Sequence, residues 1–285
     1  MKDLIIGAAD NYTWKDIKVW VRSIKETSFD GDVVLIAYRV SQDLIDGCKQ
    51  YGVDVLQINH DEFGQPINHG YGGLPTQSHK MRNLHIAQYL EENSNYATVA
   101  VTDTRDVYFQ HNPAEIFRKQ REREILIFLP SENILIENES WNANMIRSLF
   151  GLFIFDLVRE KISINSGTVF GEADTVKRLM LQLYFMEKNF QHTGSDQPTL
   201  NVLTYALTPL FYEEDAIRSI HEWPWAAQCG TMLDPSKPHL LAKNIEVKPI
   251  IENGIVKTRN GDPFVVVHQY DRVPELKSLI EQRYI

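Results

Sequence analysis

Apolar positions in the first part of the chain alternate between two rhythms. Asp3 to Ala9 is a short apolar run, after which Trp14, Ile17, Trp20, Val21 and Ile24 recur at helical spacing. Asp32 to Tyr38 is rich in β-branched residues, Ser41 opens a helix that Gly52 stops after Tyr51, and Val53 to Ile58 reads as a third strand. Strand, helix, strand, helix, strand with tight connections predicts a parallel sheet with helices on its faces. The stretch from Asn59 to Thr76, rich in Gly, His, Asn and Pro, breaks the rhythm and is longer than an ordinary connection, as functional or mobile loops are. Gln77 to Glu92 resumes as a helix, and Tyr96 to Thr102 is a buried-type strand running into Asp103. That places Asp103 at the carboxyl end of a strand, where open parallel sheets bind ligands.

The pattern is less regular afterwards. Pro113 begins a basic helix to about Arg123, and Glu124 to Pro130 returns as a strand. Periodicity leaves Glu132 to Lys161 unassigned, including the apolar stretch Leu149 to Phe155. Ile162 to Gly171 reads as a strand broken at Asn165-Ser166-Gly167, followed by a helix to about Asn189 and another across Pro198 to Ala206. Glu246 to Glu252 and Ile255 to Thr258 flank Asn253-Gly254, a strong hairpin signal. Pro263 to Tyr270 is a strand carrying His268, and Pro274 to Arg283 is a final helix. No internal repeat is visible. The expected architecture is α/β, a mostly parallel central sheet flanked by helices, in one continuous domain over residues 1–285 with an irregular C-terminal lobe containing the hairpin.

Composition narrows the chemistry. With 285 residues, 43% hydrophobic, and a formal charge of −9, the chain is globular and lacks the basic surface that nucleic-acid binding needs. An anionic ligand would therefore call for a cation. Cys48 and Cys229 are too few for a disulfide framework and have no metal or redox spacing, so both are expected as small core residues in a reducing compartment. The opening apolar run is closed by Asp10, and no stretch has the length of a membrane span. The expectation is a cytoplasmic protein, free or peripheral to a membrane.

The most informative segment is Thr102-Asp103-Thr104-Arg105-Asp106-Val107-Tyr108-Phe109-Gln110-His111-Asn112-Pro113. Two carboxylates three residues apart after an apolar strand are hard oxygen ligands suited to Mg²⁺ or Mn²⁺. The same residues also suit an Asx turn at Asp103 and a helix cap at Asp106, paired with Arg105 or Arg118. The segment resembles the metal-binding acidic motif of glycosyltransferases with the GT-A fold, in which an apolar strand ends in an acidic pair and Asn-Pro opens a helix. Counted back from Asn112-Pro113, Asp106 matches the second acid, and the first falls on Thr104 with Asp103 one place earlier. The Asp103 to Asp106 version is similar to the glycosyltransferase domain of a chlorella virus and to related microbial and plant sequences.

Three more segments follow in the family's order. Asn165-Ser166-Gly167 is similar to the strand that lines the donor-sugar pocket, where glycine admits a close backbone and Asn165 offers a donor and an acceptor. Asp196-Gln197 resembles the reactive segment of glycogenin-like and lipopolysaccharide galactosyltransferases; by composition alone Ser195 or Asp196 would cap the helix that Pro198 opens. Val265 to Tyr270 is similar to the late strand that returns a histidine, here His268, to the metal; by itself that residue would be a core histidine.

The resemblance implies a transferase moving a sugar from a nucleoside diphosphate, with UDP-sugar as expected donor, to a hydroxyl acceptor such as a glycan or glycolipid. It implies Asp103, Asp106 and His268 as ligands to Mn²⁺ or Mg²⁺, and Asp196 and Gln197 as catalytic residues. The implied donor-binding set is Ala8, Asp10, Asn11, Lys80, Arg82, Thr104, Arg105, Asn165, Ser166 and Gly167. Lys80 and Arg82 could equally form a solvated helix face. Residues 1–131 would form the nucleotide-binding half and 132–285 the sugar and acceptor half, with acceptor choice in 59–76 and 132–160. Retention is slightly favoured over inversion. The alternatives are a sugar-nucleotide-binding protein without turnover and a sugar-1-phosphate nucleotidyltransferase, although the latter needs a Gly-rich basic loop that Gly7 to Thr13 lacks. A haloacid dehalogenase-type phosphatase would need its second Asp where Arg105 stands.

Overall fold

The structure, a computed structural model, describes residues 1–61, 63–67, 78–192, 194–207 and 216–284. Much of the loop expected over 59–76 therefore lies outside the described residues, as does Gln77. The opening alternation forms β1 (Lys2–Asp10), α1 (Trp14–Glu26), β2 (Asp32–Tyr38), α2 (Gln42–Gln50) and β3 (Asp54–Gln57). Next come α3 (Ser78–Glu92), β4 (Tyr96–Thr102), β5 (Val107–Phe109), α4 (Ala114–Glu122), β6 (Ile127–Phe128) and β7 (Ser131–Leu135). The second half adds α5 (Ser140–Val158), β8 (Ile162–Ile164), β9 (Thr168–Glu172), α6 (Ala173–Glu187) and α7 (Asp196–Val202). It ends with β10 (Ala226–Gln228), α8 (Cys229–Met232), α9 (Pro238–Leu241), β11 (Ile250–Glu252), β12 (Ile255–Lys257), β13 (Val266–His268) and α10 (Pro274–Tyr284).

Among the described residues the central sheet runs β3-β2-β1-β4-β9-β6. Strands β3, β2, β1 and β4 are parallel, whereas β9 and β6 pair antiparallel. Alternation along the buried strands feeds two cores. Leu4, Ile6, Val34, Ile36, Val99 and Val101 face α3 and α6, while Ile5, Leu35 and Ala100 face Trp20 of α1 and Phe117 of α4. A third core gathers Tyr108, Phe264 and Val267 against Leu276 and Ile280 of α10.

Several elements differ from the sequence expectation. The strand expected over 124–130 shrinks to Ile127–Phe128, because the next amide, Leu129 N–H, turns to Ala216 O and leaves β9. The unassigned stretch holds β7 and α5; Glu139 caps α5 by accepting from the Trp141 and Asn142 amides. Asn253 and Gly254 both take positive φ, 53° and 76°, and close β11 onto β12 as the sequence indicates. Cys48 and Cys229 are buried and unbridged. No helix among the described residues is long and apolar enough to cross a membrane.

A small second sheet, β10-β13-β5, positions the late histidine. Its register sets His268 opposite both Gln228 and Val107, so His268 lies beside the residue that precedes β5, Asp106.

Candidate active site

A cavity of about 400 Å³ opens at the carboxyl ends of β1 and β4, lined by Ala8, Asp10, Arg82, Thr104, Arg105 and Asp106 among others. Asp103 stands where β4 leaves the sheet, its amide donating to Gly167 O at 2.8 Å. Asp106 precedes β5 rather than a helix, and its carbonyl accepts from Gln269 N–H at 2.7 Å. The capping arrangement that composition also permitted is absent here: Arg118 pairs with Glu122, and the first turn of α4 is capped by Asn112 Oδ1, which accepts from Ala114 N–H.

Asp103, Asp106 and His268 offer ligand atoms that all lie within 4.8 Å of one another. His268 Nε2 is 3.4 Å from Asp103 Oδ2 and 3.7 Å from Asp106 Oδ1. Its other nitrogen, Nδ1, lies 2.7 Å from Gln228 Oε1, an atom that only accepts, so Nδ1 carries the proton and the lone pair of the neutral ring faces the two acids. Gln228 is itself held, its amide donating to Thr168 Oγ1 at 2.8 Å. Two carboxylate oxygens and an imidazole nitrogen at these separations fit the coordination sphere of one Mn²⁺ or Mg²⁺, where ligand atoms at about 2.1 Å from the ion stand about 3 to 4 Å apart. Burial raises the Asp106 carboxyl above the ordinary carboxylate range despite the nearby His268. Burial would also raise Asp103, but Arg82 and then His268 overcome it and hold that carboxyl low. The His268 ring, disfavoured as a cation by burial, is nevertheless pushed up by Asp106 and Asp103.

Arg82 bridges the acids instead of pointing to open solvent. Its Nη1 donates to Asp103 Oδ1 at 2.9 Å and its Nη2 to Asp196 Oδ2 at 2.5 Å. Asp196 also accepts from Ser166 Oγ at 2.8 Å. Neither Ser195 nor Asp196 caps α7: the Ser195 hydroxyl donates to Glu187 at 2.9 Å. Lys80 lies apart from the cavity lining, nearly buried, with its ammonium donating to Phe190 O. At the other end, Asp10 is gripped by Arg39 at 3.0 Å and by Ser78 Oγ at 2.5 Å, and Asn11 takes a positive φ of 57° as its amide turns to Tyr38 O.

Beneath Asp196 lies a buried polar cluster that sequence reasoning missed. Glu132, in β7, accepts from Asn165 Nδ2 at 3.0 Å, Gln197 Nε2 at 2.9 Å and Ser163 Oγ at 2.6 Å. Asn165 in turn donates to Gln197 Oε1 at 3.1 Å. Burial raises the Glu132 carboxyl, while Ser163 and Asn165 pull the other way. Gln228, Arg39 and Glu132 share a feature: each supports a residue that the motifs had identified, and none stands in a motif of its own.

This architecture has counterparts among solved structures. The galactosyltransferase LgtC, solved with donor and acceptor sugar analogues, matches with a TM-score of 0.54 at 12% identity, over 93% of this chain and 86% of that one. An active-site mutant of LgtC matches at 0.53 and 12% identity with the same coverage. The apo form of mouse xyloside xylosyltransferase 1 matches at 0.50 and 12% identity, over 94% of this chain and 96% of that one. The chain has the GT-A fold. The likeness covers nearly the whole chain, including the irregular lobe that delivers His268. No protein-family model and no curated protein matches the sequence.

Proposed function

We propose that the protein is a metal-dependent glycosyltransferase that moves a sugar from a nucleoside diphosphate, UDP in the first instance, to a hydroxyl of a glycan or glycolipid. The observation that carries this reading is the convergence of Asp103, Asp106 and His268 on one point at the mouth of a cavity, within a fold shared with solved glycosyltransferases. Those three side chains hold a Mn²⁺ or Mg²⁺ ion, which when bound offsets the charge on the departing diphosphate.

The remaining roles belong to the chain's own groups. Ala8, Asp10 and Asn11 receive the nucleoside at the end of β1, and Thr104 and Arg105 meet the diphosphate from the edge of the same cavity. Arg82 keeps Asp103 and Asp196 ionised and in place. Asp196 and Gln197, with Asn165, Ser166 and Gly167, hold the donor sugar, and Glu132 orients the two amides from behind. Asp196 and Glu132 are both engaged by neighbouring donors, which favours retention, since neither is poised as a free base for the acceptor. Residues 1–131 serve the nucleotide and 132–285 the sugar and acceptor. The buried thiols Cys48 and Cys229 suit a cytoplasmic setting.

The test is calorimetric titration of UDP with and without Mn²⁺, followed by turnover assays on a panel of UDP-sugars. Mn²⁺-dependent UDP binding, slow hydrolysis of one donor, and loss of both in chelator or in Asp106→Ala are expected. UDP binding with no turnover on any donor would replace the transferase by a sugar-nucleotide-binding protein. Binding of UDP unaffected by metal would remove the roles given to the three ligands.

A further inference from the structure

The stretch Leu149 to Phe155 carries more apolar side chains than the fold buries. Within α5, Gly151 adopts φ 83° and ψ 171°, so two helical pieces meet there at a corner. On the inner side Ile146, Phe155 and Val158 form a core with the half-buried Phe150 and Ile154, and Phe150 packs edge-on against Phe190. On the outer side Leu152 and Phe153 are 69% and 75% exposed, and Leu157, one turn beyond Phe153, is 50% exposed. Corners between helices are ordinarily polar, and clustered large apolar groups in water mark a contact surface.

We infer that this corner is a membrane-docking tip that inserts into the interfacial region of an anionic lipid bilayer. Two observations select this occupant. Three side chains of this size offer roughly 400 Å², about half of the ~800 Å² that each partner of a stable protein complex buries, whereas a bilayer interface accepts a small apolar wedge. The local charge is also suitable. Arg147, whose guanidinium lies 3.7 Å over the Phe155 ring, together with Arg159 and Lys161, outnumbers Asp156 and Glu160 in a chain whose overall charge is −9.

The corner is also coupled to the site. Asn142, in the first turn of α5, donates to Ser163 Oγ at 3.0 Å, and Ser163 holds Glu132 beside Asn165 and Gln197. From Asn142 to Gly151 a helix rises about 14 Å, which is within the reach of a glycolipid headgroup. The acceptor class that follows is a lipid-linked glycan; this last step rests on the transferase reading, whereas the docking does not.

Flotation with phosphatidylcholine vesicles containing a quarter phosphatidylglycerol tests the docking without donor or metal, so its outcome is independent of the proposed activity. Wild-type protein should float, and Leu152→Ser/Phe153→Ser should lose at least tenfold in bound fraction while keeping its circular dichroism and its thermal midpoint. In a Phe153→Trp variant, emission in excess of the five native tryptophans should be quenched by lipids brominated on their acyl chains. Wild type that stays unbound, a double variant that still floats, an excess emission untouched by bromine, or a dimer in solution that the double variant dissolves would each overturn the inference.

Discussion

Replacing Gly167 by alanine would place a methyl group in the middle of the proposed metal site. Its β-carbon would stand 2.7 Å from Asp103 Oδ2 and 2.7 Å from His268 Cε1, with Asn165 Oδ1 at 3.1 Å. Non-bonded carbon contacts settle at about 3.5 Å, so each close neighbour would have to retreat by about 0.8 Å. The glycine has little room to back away: its amide donates to Asn165 Oδ1 at 2.8 Å and its carbonyl accepts from Asp103 N–H at 2.8 Å. A metal site tolerates displacements of only about 0.2 Å in its ligand distances, so at least one of Asp103 and His268 should leave the sphere. The expected loss in Mn²⁺ affinity, measured by calorimetry with UDP present, is about 10- to 100-fold, or about 1.4 to 2.7 kcal/mol. Overpacking should lower stability by about 1 to 3 kcal/mol, leaving a folded protein on which that affinity is measurable. A folded Gly167→Ala whose Mn²⁺ affinity stays within twofold of wild type would refute the reasoning.

Two further outcomes follow from the groups around the site. Gln228→Leu frees the His268 ring to rotate and removes the acceptor that keeps Nδ1 protonated, so Mn²⁺ affinity should fall about tenfold with little change in thermal midpoint; an unchanged affinity would show that the ring needs no such support. Burial, and then Asp196, raise the Glu187 carboxyl from 4.5 to about 8, so the folded protein holds a proton there that the unfolded chain has already released. The stabilisation is complete below about pH 4.5 and is lost as pH rises through about 8. Glu187→Gln should therefore flatten the fall in thermal midpoint between pH 5 and pH 8.5 by about 2 °C or more, and an identical slope in both proteins would contradict the assignment.

How far the sequence alone reached depended on whether a feature was local. The βαβ opening, the turn at Asn165-Ser166-Gly167 and the Asn253-Gly254 hairpin are each written in a few adjacent residues, and each formed. The meeting of His268 with Asp103 and Asp106 was legible only because ordered motifs were read together; physically it depends on β13 pairing with β5, a contact that no local pattern encodes. Arg82 is the instructive case. Its place one turn into α3 suggested a phosphate ligand or a solvated face, yet in the structure it bridges two buried acids, one of which is more than a hundred residues away. Glu132 and Gln228 were invisible for a related reason: a side chain that positions another leaves no spacing signature, and only the hydrogen bonds across β7, β8 and β10 reveal it. The apolar stretch in α5 defied periodicity because Gly151 resets the helix phase midway through it.

The claim that three distant side chains share one ion is tested most directly by anomalous scattering from crystals grown with UDP and Mn²⁺. A manganese peak within about 2.3 Å of an Asp103 oxygen, an Asp106 oxygen and His268 Nε2 together is the expected result. A manganese peak elsewhere, or UDP bound in the cavity with no peak among these three residues, would contradict it.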